Sequence, residues 1–245
     1  MYGDLDRPPL RAASLRRGLE QDGYRVEVLE VTGSTNAVVA ERARHGEPHG
    51  LVVVAEEQTQ GRGRLDRTWV SPPRAGLTFS VLVRPSGPLS WVPLLAGIGV
   101  AQALRRRCEV DAVLKWPNDV LVDDRKVCGL LAEAVDGGVV LGIGLNVTTR
   151  RAELPVPEST SLVLEGAATT DRDTVLRAVL RSVADALGDD TRSSYRELCS
   201  TLGRQVRLEL PGGQSVTGTA EGVDDDGRLV VDGTAYAAGD VVHLR

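Results

Sequence analysis

Apolar positions along this chain recur with helical spacing in some stretches and alternate in others, and the switches between the two periods mark out its elements. Residues 10–22 (LRAASLRRGLEQD) carry apolar side chains at helical spacing, and residues 24–31 (YRVEVLEV) alternate as a half-buried strand does. Ser34 is placed to cap a helix that carries Ala37, Val38, Ala40 and Ala43 and stops near Gly46. LVVVAEE at 51–57 reads as a short buried strand. It runs into QTQGRGRLDRTWVSPPRAG at 58–76, whose glycines, arginines and lack of period predict a loop. A strand at 78–85 and a long helix from about Ser90 to Arg107 come next.

The stretch 112–147 then packs AVLKW, DVLVDD, KVCGLLAEAV and VVLGIGLNV together with only tight turns between them, which requires antiparallel pairing. Residues 148–170 read as irregular and contain Pro155 and Pro157, and helical segments are expected at 171–187 and 189–201. From Gly203 the pattern changes to short strands broken by PGG, DDDG, DG and AGD turns, the pattern of a small SH3-like barrel. The expected fold is α+β, with a mixed, largely antiparallel sheet and helices over residues 1–200 and the barrel over 201–245. So small a barrel buries too little to be very stable alone, so it is expected to lean on the larger domain.

Composition narrows the functions open to such a chain. A formal net charge of −5 argues against a general nucleic-acid binder, which carries a basic excess. No apolar run approaches the roughly 20 residues that cross a bilayer, and the N-terminal residues lack the apolar core of a secretory signal. Cys108, Cys128 and Cys199 are odd in number and lack metal-type spacing, as expected of reduced thiols in a cytoplasmic protein. Of 29 basic residues only Lys115 and Lys126 are lysines. A chain so biased to arginine retains lysine where a compact ammonium fits and a planar guanidinium does not, unless two lysines survive by chance.

Four constellations carry candidate chemistry. In GRGRLDRTW (61–69), Gly61 and Gly63 free backbone amides for close approach to an anion. Arg62, Arg64 and Arg67 add charge suited to carboxylate or phosphate oxygens, and Trp69 a flat apolar surface. A solvated surface loop or an RG-type nucleic-acid contact fits the same letters. In KWPND (115–119), Pro117 forces a turn that clusters Lys115, Asn118 and Asp119, a set that can hold a nucleotide and Mg²⁺, or simply join two strands. In KVCGLLAE (126–133), Lys126 opens a strand and Gly129 marks close approach of a ligand or of backbone. In GIGLNV (142–147), Gly142, Gly144 and Asn146 share one face, room for a planar ring beside an amide or for a packed helix.

Taken in this order and spacing, beginning at GSTN (33–36) and ending in LGRQVRLEL, GTAEGVDDDGRLVV and AGDVVHLR, these segments resemble the biotin protein ligase family over nearly the whole chain. The resemblance implies a catalytic domain like that of class II aminoacyl-tRNA synthetases and two half-reactions. Biotin's carboxylate attacks the α-phosphate of ATP to give biotinyl-5′-AMP and pyrophosphate. A lysine of a biotin carboxyl carrier domain, from an acyl-CoA or pyruvate carboxylase, then takes the biotin and releases AMP.

By the same resemblance Ser34, Thr35, Asn36 and Gln58 hold the biotin ring system, and Gly61, Arg62, Gly63 and Arg64 belong to a loop that folds over ligand. Trp69 flanks the adenine, and Lys126, beside Gly129, contacts the biotin carboxylate and bridging phosphate. Lys115, Asn118, Asp119 and Asn146 line the nucleotide region with Gly142 and Gly144, and Asp119 is the expected Mg²⁺ ligand. Lys126, Arg64, Lys115 and Asp119 are the expected catalytic set. Leu65 and Asp66 depart from the family's usual arginine and glycine, which puts loop ordering and intermediate retention in question. The roughly 30 residues before GSTN are too few for the helix-turn-helix domain of bifunctional members, so no specific nucleic-acid partner is expected. A lipoate–protein ligase is the competing enzyme and a biotin-responsive DNA-binding regulator the competing non-enzyme. The single methionine, Met1, excludes the Met-Lys-Met signature of the carrier domain itself.

Overall fold

The computed structural model describes residues 7–65, 67–85, 87–188 and 191–244. In chain order the larger part contains α1 (Ala12–Glu20), β1 (Arg25–Thr32), α2 (Thr35–Arg44), β2 (Leu51–Gln58) and β3 (Gly76–Val83). It continues with α3 (Val92–Cys108), β4 (Ala112–Lys115), β5 (Asp119–Val122), β6 (Arg125–Val135), β7 (Gly138–Asn146), α4 (Arg172–Gly188) and α5 (Arg192–Leu198). Short 3₁₀ turns at Leu89–Trp91 and Arg151–Glu153 complete it. The C-terminal part contains β8 (Gln205–Glu209), β9 (Ser215–Val223), β10 (Leu229–Val231), β11 (Thr234–Tyr236) and β12 (Asp240–His243).

The large sheet has seven strands in the order β1-β2-β3-β7-β6-β5-β4. Only β1 and β2 run parallel; every other neighbouring pair is antiparallel. The continuous apolar run LVVV of β2 follows from burial on both faces. Val52 and Val54 join the main core with Phe79 and Val81, beneath α1, α3 and α4. Leu51 and Val53 join a smaller core with Leu82 and Val140 under α2, which contributes Val39 and Ala43. Period-two alternation thus assigns one strand to two cores at once. Ser34 occupies the N-cap of α2 as the pattern predicts, but its side chain makes no capping hydrogen bond.

The C-terminal strands form a five-stranded antiparallel sheet in the order β11-β10-β9-β8-β12. Its buried Val206, Leu208, Ala220, Val223 and Leu229 merge into the main core, so the small module leans on the large one as its size requires. Two indoles fasten it. Trp91 Nε1 donates to the carbonyl of Asp225 at 2.7 Å, and Trp116 Nε1 to that of Gly227 at 3.1 Å. The Thr201 hydroxyl lies 3.1 Å from His243 Nε2. Burial, with Lys115 and Arg204 nearby, lowers the His243 pKa to about 4, so this contact is made by a neutral imidazole at neutral pH.

Candidate active site

The ends of β2, β3, β6 and β7, the start of α2, the β4–β5 turn and the loop 59–75 enclose one cavity of about 140 Å³. Ser34, Thr35, Asn36, Gln58, Arg62, Gly63, Arg64, Trp69, Asn118, Asp119, Lys126, Gly129, Gly142 and Gly144 line it. Residues more than 100 positions apart reach it because β3 pairs with β7, and β7 with β6, across the middle of the sheet.

At one end is a polar cluster. The backbone N of Thr35 donates to Gln58 Oε1 at 2.8 Å, and Thr35 Oγ1 lies 3.0 Å from the same oxygen. Ser80 Oγ, fully buried on β3, lies 2.7 Å from Thr35 Oγ1 and 2.5 Å from Asn36 Oδ1. The Asn36 amide sits directly over Gly142, where any Cβ would collide with it.

At the other end is a cationic floor. Lys126 Nζ lies 2.6 Å from Asp119 Oδ1 and 5.8 Å from the centroid of the Trp69 ring, a cation–π distance. The indole lies across Gly144, whose lack of a Cβ makes the space for it, and touches Gly129. Burial lowers the pKa of Arg64, which stays a cation because guanidinium starts so far above neutral pH.

The loop that lacks any period in the sequence is a short, latched turn. Gly63 N donates to Arg67 O at 2.6 Å and Trp69 N to Gly61 O at 2.9 Å, so the two legs pair. Arg62 Nη2 meets Glu133 Oε2 at 3.0 Å, Arg64 Nη1 meets Asn118 Oδ1 at 3.3 Å and the Gly239 carbonyl at 3.4 Å, and Arg67 pairs with Asp240. All three arginines expected to await an anion are therefore held by the protein's own oxygens. Leu65 sits at the tip with φ 51° and is half exposed, and Asp66 lies outside the described residues. The cavity is small beside the roughly 300–1,000 Å³ of ordinary small-molecule pockets, and movement of this loop would enlarge it. The latches allow it, since exposed ion pairs are worth only about 0–1 kcal/mol each.

Asp240 belongs to the C-terminal sheet, so a latch of the larger domain is completed by the smaller one. Asp240→Ala is expected to raise trypsin cleavage after Arg62, Arg64 or Arg67 by roughly two- to fivefold, because cleavage tracks the open population and one weak pair is lost. Timed digestion followed by peptide mass mapping checks this; an unchanged rate would show that Asp240 does not hold the loop.

Three expected site residues do not line the cavity. Gly61 instead lets the legs of the loop touch, since a Cβ there would meet the Trp69 carbonyl. Asn146 is buried at the end of β7, where Nδ2 donates to the Thr160 carbonyl at 2.9 Å; it ties the strand to the segment 148–170. Lys115 pairs in register with Asp119, so the two side chains share a face of the sheet; burial lowers its pKa, and Asp119, Lys126, Asp240 and Arg67 all lie near enough to act on its charge. The turn between them contains a cis peptide bond at Trp116–Pro117. The sequence reading did not single out Ser80, Glu133 or Asp240. Glu133 was accessible to it: alternation from Gly129 through Leu131 puts a carboxylate on the glycine's face of β6. Asp240 lacks any such local signal.

Two family models match the chain: the Biotin/lipoate A/B protein ligase family over residues 28–149, and the Biotin protein ligase C terminal domain over residues 201–244. A biotin–[acetyl-CoA-carboxylase] ligase of Mycobacterium tuberculosis is 41% identical, covering 99% of this chain and 98% of its own. The bifunctional ligase/repressor BirA of Escherichia coli is 32% identical, over 91% of this chain but 74% of its own. The solved structure of biotin protein ligase from Aquifex aeolicus in complex with biotin and ATP superposes with a TM-score of 0.75. It is 31% identical and covers 90% of this chain and 99% of its own.

Proposed function

The chain belongs to the biotin protein ligase family, and from that premise we infer that the cavity between β6, β7 and the loop 59–75 is where biotin and ATP are brought together. The activity is that of a biotin–[biotin carboxyl carrier protein] ligase, with biotin and ATP as substrates and a carrier domain of a carboxylase as acceptor. The finer assignments are the proposal: which residues act, the involvement of Mg²⁺, acyl-CoA or pyruvate carboxylase as source of the acceptor, and a cytoplasmic setting. The setting is supported by three free, buried cysteines. Among the described residues no helix is long and apolar enough to cross a membrane.

The observation that carries the site assignment is the pairing of Lys126 with Asp119 on the cavity floor, at the junction of the polar cluster and the arginine loop. A carboxylate and a triphosphate repel each other. A cation at their meeting point offsets the charge that builds between attacking oxygen and α-phosphorus. Asp119 keeps Lys126 extended into the cavity until a substrate anion competes for it. Arg62 and Arg64 can leave Glu133, Asn118 and Gly239 for the phosphates, which closes the loop over the mixed anhydride and excludes water. The Trp69 indole, already resting on the glycine platform, offers its face to a base. Asn146 ties β7 to the segment beside this floor and Gly61 shapes the loop, while Lys115, close to Asp119 and Lys126, adds positive charge at the phosphate end.

Magnesium fits this donor set in one form only. Among the described residues no group of three or more acidic, histidine or cysteine side chains gathers as a metal cage. Asp119 and Asn118 do line the cavity, which suits an ion that arrives on the triphosphate and takes one carboxylate from the protein. Such an ion would neutralise phosphate charge.

Substrate choice is tested by offering biotin and lipoate separately and in competition, with ATP and Mg²⁺, and following acid-dependent exchange of pyrophosphate into ATP. Biotin is expected to support exchange and to be unaffected by lipoate in excess. Exchange with lipoate and not biotin would contradict the assignment.

A further inference from the structure

We propose that Glu133, resting on the biotin reading above, is a positioning residue that presets the hydrogen-bond polarity of the ring end of the pocket. Its Oε2 accepts from Asn36 Nδ2 at 2.5 Å and from Arg62 Nη2 at 3.0 Å. An ionised carboxylate only accepts, so the Asn36 amide must turn its nitrogen to Glu133 and its oxygen to Ser80.

Proton counting carries this inward. Ser80 Oγ has one proton, and Asn36 Oδ1 at 2.5 Å can only accept it. The Thr35 proton is then the one left to serve two further contacts, 2.7 Å to Ser80 Oγ and 3.0 Å to Gln58 Oε1. Gln58 Oε1, held in place by the Thr35 backbone N–H at 2.8 Å, can only accept, so this row of oxygens is one proton short. A row of acceptors one proton short is matched to an N–H of a ligand. The ring ureido group of biotin has two. A carboxylate at the far end of the chain of contacts therefore decides that this end of the pocket asks for a donor.

The same carboxylate holds Arg62, so ring pocket and loop share one anion. Replacing it by an amide removes the constraint. In Glu133→Gln the Nε2 can face Asn36, Asn36 can turn over, Ser80 can reverse, and every contact in the row then has a proton. Glu133 is about one-third exposed, and the substitution keeps its shape.

Pyrophosphate exchange on the wild type, Glu133→Gln, Arg62→Ala and the double variant tests this, with KM for biotin, KM for ATP, kcat and melting temperature recorded for each. Glu133→Gln is expected to raise KM for biotin roughly ten- to hundredfold, the scale of one hydrogen bond to a charged group. The rise persists in the Arg62→Ala background and leaves KM for ATP and melting temperature in place. A rise that vanishes without Arg62 reduces Glu133 to a loop anchor and overturns the proposal, as does an unchanged KM for biotin. If Glu133→Gln does not fold, Ser80→Ala interrupts the same chain one link further in, with the same expected and contradicting results. A wild type without biotin-dependent exchange would instead sink the substrate reading, and is seen before any variant is compared.

Discussion

Lys126→Ala is expected to slow biotin-dependent pyrophosphate exchange by about two orders of magnitude or more, the usual scale for removing one electrostatic contact from a transition state. The ammonium lies on the cavity floor, 2.6 Å from Asp119, with the Trp69 ring nearby. Removing it subtracts the cation from the meeting point of carboxylate and α-phosphate, which opposes the reaction. The loss should fall on kcat as well as on kcat/KM, because the charge it offsets grows as the phosphorus–oxygen bond forms. Circular dichroism and the melting curve establish that the variant is folded. A folded variant exchanging at near the wild-type rate would remove Lys126 from the mechanism.

Glu56→Ala is expected to destabilise the fold by about 3–5 kcal/mol, the cost of leaving a buried charge without its partner. Glu56 and Arg172 are both almost wholly buried, and Arg172 Nη1 lies 2.6 Å from Glu56 Oε2. The other carboxylate oxygen accepts from Leu10 N at 2.6 Å, while the guanidinium also donates to the carbonyls of Pro8 at 2.7 Å and Gly76 at 3.3 Å. One pair thus joins the N-terminal segment, β2, the start of β3 and α4. Alanine satisfies none of these groups and strands the arginine. Urea denaturation followed by fluorescence should show a lower midpoint with an unchanged slope. Glu56→Gln, which retains the acceptor oxygen, should lose less. A cost below about 1 kcal/mol would mean that water or a shifted side chain replaces the carboxylate, contrary to its burial.

Local pattern carried most of the elements because each depends on neighbours in the chain. Alternation located β1, the apolar run located β2, apolar segments joined by tight turns located β4 to β7, and the absence of period located the loop after Gln58. The turn chemistry of KWPND and the glycines of β7 likewise pointed to surfaces that meet at one cavity. What local pattern does not encode is which strand lies beside which. The parallel β1–β2 pair and the β3–β7 pairing join segments separated by other elements, and only the packed core selects them. Asn146 shows the consequence. It shares the alternation of Gly142 and Gly144, yet the irregular segment folds back to cover it and takes its amide through Thr160. The loop shows another. Its arginines read as waiting for ligand, whereas partners far along the chain, Glu133 and Asp240, already hold two of them.

Intact mass of a biotin carboxyl carrier domain, incubated with this protein, ATP, Mg²⁺ and biotin, decides whether this chain is a biotin ligase. The carrier is expected to gain one biotinyl group on a single lysine. The gain depends on ATP and is lost when that lysine is replaced by arginine. A carrier whose mass stays unchanged while the protein is folded, or one modified equally well without ATP, would contradict it.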